Sequence, residues 1–105
     1  MGRASSLAVS RLLRRPVEDP GGEKLGHVDD LVVDLQAGRI EFVRLRVHDP
    51  EGQARRFVLV PWSQLSAAPG ADRPLVLPVS YRVLRSLSRT DDDPERGPVG
   101  SARGR

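Results

Sequence analysis

Gly22-Glu23-Lys24-Leu25-Gly26-His27-Val28-Asp29-Asp30-Leu31-Val32-Val33-Asp34-Leu35 decides the fold. From Lys24 onward it reads as an extended strand with β-branched and aliphatic residues on both faces. Simple alternation sets Leu31, Val33 and Leu35 on one face and Val28, Asp30, Val32 and Asp34 on the other. Gly26, inside the strand, predicts a bulge or sharp bend, the device that lets a small sheet curl. Upstream, Asp19-Pro20-Gly21-Gly22 is a turn in which Pro20 presets φ and Gly22 supplies positive φ. Downstream, Gln36-Ala37-Gly38-Arg39 is a hairpin turn with Gly38 at the left-handed position.

The pattern continues on both sides. Ser5 or Ser6 is placed to cap a short helical turn through Leu7, Val9, Leu12 and Leu13, which Pro16 ends. Pro16 to Asp19 reads as the first strand. Ile40 to His48 is the third, with Val43, Leu45 and Val47 on one face and Phe42, Arg44, Arg46 and His48 on the other. Asp49-Pro50-Glu51-Gly52 turns the chain into Arg55 to Pro61, where Phe57 and Leu59 oppose Val58 and Val60. Apolar residues on both faces predict a strand covered on both sides. Pro61 stands at its end, where a missing N–H is harmless, and Trp62-Ser63-Gln64-Leu65 is a helical turn whose indole caps the core. Ser66 to Asp72 is a loop and Pro74 to Leu77 a short fifth strand. Ser80 caps a last helix with Val83, Leu84 and Leu87 on one stripe. The expected architecture is all-β, a small, strongly bent barrel of five to six strands with a short C-terminal helix. The expected division is a flexible basic arm over 1–11, the barrel over 12–87 and a disordered polar tail over 88–105.

A length of 105 residues with 38% hydrophobic residues supports one small core without a large ligand cavity. The absence of Cys excludes disulfides, thiolate metal sites and cysteine nucleophiles. No apolar run reaches the roughly 20 residues of a membrane span, and no secretory signal pattern opens the chain, so a cytoplasmic protein is expected. The net charge of +3 is unevenly spread. Residues 1–15 carry Arg3, Arg11, Arg14 and Arg15 and no acid, whereas residues 16–88 hold nine basic and ten acidic residues. The domain is not itself basic, unlike a typical folded nucleic-acid module.

Chemistry-bearing patterns are sparse. Gly21, Gly22 and Gly26 fit neither phosphate-loop nor dinucleotide spacing. Asp30 and Asp34 on one strand face stand about 13 Å apart, too far to share an ion. His27 and His48, the two histidines, lack a third ligand for zinc and a nucleophile-elbow serine for hydrolysis. No catalytic, metal or cofactor residues, and no small-molecule substrate, are expected. The candidate partner-binding residues are Phe42, Arg44 and Arg46 with Arg55 and Arg56. An aromatic among arginines meets an acidic protein surface or stacks on bases, and the same pattern arises where Arg stems merely cover Phe42.

Leu12-Leu13 followed by Arg15-Pro16-Val17, then Gly22 through Asp34, Gly38-Arg39-Ile40, and Val58 through Leu65 together resemble the PRC-barrel domain. That family includes the cytoplasmic domain of the photosynthetic reaction-centre H subunit and the C-terminal domain of the ribosome-maturation factor RimM. The resemblance is good from Leu12 to Trp62 and extends more weakly to about Leu87. Arg14 departs from it, since the family commonly has Gly there. The resemblance implies a small barrel used as an adaptor, with no catalytic residues to carry over. It implies a protein partner or a homodimer first. An RNA or ribosome-associated role, with Arg3, Arg11, Arg14 and Arg15 on phosphate, comes second. A peripheral place on a membrane complex, without direct insertion, is the third.

Overall fold

The computed structural model describes residues 7–52, 54–67 and 73–90. Its centre is a long hairpin of β2 (Lys24–Asp34) and β3 (Arg39–Val47). The Asp34 carboxylate accepts the N–H groups of Gln36 and Ala37, and Gly38 closes the turn at φ +68°. β1 (Pro16–Glu18) flanks β2, and β4 (Arg56–Pro61) flanks β3. A 3-10 turn at Trp62–Gln64 leads to β5 (Ser66–Ala67) and β6 (Leu75–Val76); α2 (Tyr81–Leu87) and β7 (Arg89–Thr90) follow. The described strands form one sheet in the order β5-β6-β1-β2-β3-β4-β7, parallel only at β1–β6. The fold is the expected all-β bent sheet curled around one core. The sheet is not closed: β5 and β7 are its two ends. Both are two-residue strands, too short for alternation to signal, and β7 lies where the polar tail was expected to begin.

Three bulges give the sheet its bend. Val17 and Glu18 of β1 oppose Gly26 and Lys24, which leaves Leu25 as the extra residue. Asp29 is extra between the Val28–Leu45 and Asp30–Arg44 pairs, and Glu41 is extra between Phe42 and Ile40. The bulge at Asp29 corrects the simple alternation. It turns Val28 to the same face as Leu31, so Val28 is fully buried while Asp30 and Val32 face outward. Leu35 lies past the strand end and is 89% exposed.

The inner face packs Val17, Leu25, Val28, Val43, Leu45, Val47 and Val60 against Leu75, Leu77 and Leu84, with Trp62, Leu65 and Tyr81 at the margin. Each fully buried aliphatic side chain contributes roughly 1.5–3 kcal/mol of transfer free energy. The Ser80 hydroxyl caps α2 by accepting the Val83 N–H at 3.2 Å, as expected. The apolar stripe of α2 is narrower than expected. Leu84 is buried, but Val83 and Leu87 are exposed, because this two-turn helix meets the core only along Tyr81 and Leu84.

α1 (Val9–Leu12) begins at Ala8 without a side-chain cap, and Ser5 and Ser6 lie outside the described residues. Beyond α1 the chain reverses at Arg14, which takes φ +69° and donates its N–H to the Val28 carbonyl at 2.7 Å. A non-glycine residue in the left-handed region costs about 1 kcal/mol or more. Arg15 is 8% exposed. Its guanidinium donates to the Arg11 carbonyl from Nε and Nη2, at 3.0 and 2.8 Å, and to the Arg73 carbonyl from Nη1 at 2.8 Å. It therefore fastens α1 to the segment entering β6. That corrects its expected place among the phosphate-contacting arginines of the arm, since the side chain is buried and three of its five N–H groups already donate to backbone carbonyls.

Candidate functional site

The ladder register sets the outer face as three rows, because residues directly opposite in an antiparallel sheet project to the same side. Pro16, His27, Arg46, Phe57 and Arg89 form one row across five strands. Asp30, Arg44 and Leu59 form the second, and Val32, Phe42 and Pro61 the third. Val32 and Leu59 are 40% and 48% exposed and Phe42 is half-buried. An apolar strip therefore reaches solvent beside the arginines.

The expected partner-facing residues lie on or beside this face, each in a different setting. Phe42 and Arg44 are adjacent outward positions of β3. The aromatic that the arginines cover is Phe57 rather than Phe42: the Arg44 guanidinium sits 4.0 Å from the Phe57 ring centre and that of Arg55 sits 5.9 Å from it. Arg44 Nε also lies 3.4 Å from Asp29 Oδ2, so the bulge that corrects β2 supplies the counter-charge. Arg46 stands in the first row beside His27. Arg56 is half-buried on the neighbouring phase, and its Nε has no hydrogen-bond partner in the described residues.

The glycines and the Pro-Trp step have structural placements. Gly22 takes φ +91° in a turn held by the Asp19 carboxylate, which accepts the Gly21 and Glu23 N–H groups. Gly26 is buried where β2 crosses β3. A Cβ there would collide with the Arg46 carbonyl oxygen and come within 3.2 Å of His48 N. Pro61 ends β4 opposite Phe42, and Trp62 packs against the core edge.

The sequence reading missed a groove. It is open, about 810 Å³ in volume, and lies at the end of the first row, where β1, β2 and β3 meet the Asp49–Arg55 loop. Arg14, Lys24, Arg46 and Arg55 line it together with both histidines. Asp49 is the one carboxylate in the lining, and it accepts the Glu51 and Ala54 N–H groups at 3.2 and 2.9 Å. Burial, then the Arg46 charge, with a smaller part from Arg14, holds His27 below the usual imidazole value against a partial offset from Asp29. No hydroxyl or thiol stands in the lining. Among the described residues no three His, Cys, Asp or Glu side chains gather as a metal set, and no helix is long and apolar enough to cross a membrane.

No curated protein matches this chain. A family comparison does: the PRC-barrel domain profile aligns over residues 5–80, from the segment leading into α1 through the curled sheet to the cap of α2. With that span covering well over half of the sequence, and with the bent sheet it describes standing in the structure, the chain belongs to the PRC-barrel family.

Proposed function

We propose that this PRC-barrel is a non-enzymatic docking module that binds a protein partner, or a second copy of itself, through the outer face of β2, β3 and β4. PRC-barrel domains are in general protein-interaction modules and not catalysts. The observation that carries the reading for this chain is the partly exposed apolar strip on the outer face, Val32 and Phe42 in one row and Leu59 in the next beside Arg44, with Arg46 in the row beyond. Apolar contact at its centre supplies affinity, and the arginines set orientation and association rate. The sheet edges support a face-on mode, since β5 and β7 offer only two residues each for strand addition.

Sedimentation or light scattering of the purified chain separates the two partners. A concentration-dependent dimer identifies the second copy, and a monomer at high concentration excludes it. In either case the double variant Phe42→Ala, Arg44→Ala loses the association while remaining folded. Association that survives the double variant excludes this face.

A further inference from the structure

We infer that the groove between Arg14, Lys24, Arg46 and Arg55 is a binding site for a short acidic peptide segment, two or three carboxylates long, presented by the docking partner. This deepens the reading above by naming the partner's chemistry, and it rests on that reading.

Four cationic side chains converge there from four places in the fold: the reversal after α1, the start of β2, the end of β3 and the loop before β4. Among the described residues Arg14, Lys24 and Arg46 form no ion pair. The one carboxylate in the lining, Asp49, accepts backbone N–H groups of its own loop. An anion entering the groove meets four cationic side chains and one carboxylate, a field that favours negative charge. Arg14 stands where the chain reverses at φ +69°, and its side chain lines the groove.

The groove's own charges set the length and kind of anion. Arg14, Lys24 and Arg46, the three lining cations without an ion pair among the described residues, match two or three carboxylates, the anions that a protein partner presents. The planar fork of Arg matches a carboxylate with two parallel hydrogen bonds.

The test uses the full chain and a blocked tetra-aspartate peptide, with inorganic phosphate and a short uridine oligonucleotide as the other arms, at low salt. The peptide is expected to bind saturably and to shift the His27 and His48 imidazole resonances. It is also expected to raise the His27 pKa, because a bound anion offsets the Arg46 and Arg14 charges acting on that ring. The double variant Arg14→Gly, Lys24→Gln is expected to weaken peptide binding about tenfold or more. Arg14→Gly alone is expected to unfold no earlier than the wild type, since glycine relieves the strained φ.

Unchanged peptide affinity in the double variant, or a peptide that leaves both imidazoles unmoved, overturns the assignment. So does tighter binding of phosphate or of the oligonucleotide, which gives the groove to phosphate chemistry. Arg14 and Lys24 lie outside the Phe42–Arg44 strip, so the two readings separate. Association lost in the Phe42→Ala, Arg44→Ala variant while no peptide binds refutes the groove and keeps the docking face. Peptide binding with association that ignores Phe42 and Arg44 refutes the docking face, and with it the partner role assigned to the groove.

Discussion

The Arg44 guanidinium lies 4.0 Å from the centre of the Phe57 ring, although Leu59 is the residue directly opposite Arg44 in the ladder. The contact is the diagonal one across the strand pair, within reach of a long side chain. It explains how Phe57 is buried on the outer face without belonging to the inner core. Arg44→Lys keeps the charge and loses the flat stacked cation, and it is expected to cost about 0.5–1 kcal/mol. In Phe57→Leu the same change is expected to cost nothing measurable. A double-mutant cycle by denaturant unfolding reads the coupling directly, and additive effects refute it.

Gly26 and Gly22 both have positive φ, yet substitution at the two sites is expected to differ severalfold. A Cβ at Gly22 meets nothing within 4 Å, so Gly22→Ala carries only the conformational cost, about 1 kcal/mol. A Cβ at Gly26 collides with the Arg46 carbonyl, a backbone atom held in the β2–β3 ladder. Gly26→Ala must part the strands or move the bulge, and it is expected to cost about 2–4 kcal/mol. Equal denaturation midpoints for the two variants contradict this account.

β3 was legible in the sequence because nothing interrupts it between Phe42 and Val47, so alternation reads straight through to burial. β2 was legible as a strand but not in phase. The bulge at Asp29 exists only in the pairing with β3, which local pattern does not encode. The arginine-rich outer face was visible as residues, but the aromatic that Arg44 covers is fixed by a diagonal between strands. The groove had no linear signature at all. Its cations come from Arg14, Lys24, Arg46 and Arg55, and only the register of β1, β2 and β3 brings them together.

Tyr81 ties α2 to the sheet. Its hydroxyl donates to the His48 carbonyl at 2.6 Å and accepts from Arg85 Nη1 at 3.3 Å. Tyr81→Phe keeps the ring against the core and removes the donor, leaving a partly buried carbonyl. The expected loss is about 1 kcal/mol, a fall in Tm of about 4–8 °C for a domain of this size. An unchanged Tm shows that water replaces the hydroxyl without penalty.

His27 gives the fold a pH dependence with a definite sign. Burial first, then the Arg46 and Arg14 charges, depress its pKa below the ordinary value of 6.5 despite the opposing Asp29 carboxylate. The unfolded chain therefore binds more protons than the folded one between the depressed value and 6.5, and stability rises with pH across that window. The contribution is complete above the unfolded pKa and is lost as the pH falls through the folded one. His27→Gln removes the titration, so the difference in unfolding free energy between wild type and variant should change with pH only in that window. Denaturant unfolding at steps from about pH 5 to pH 8 measures it, and a wild-type advantage that grows toward acid pH reverses the sign and refutes the assignment.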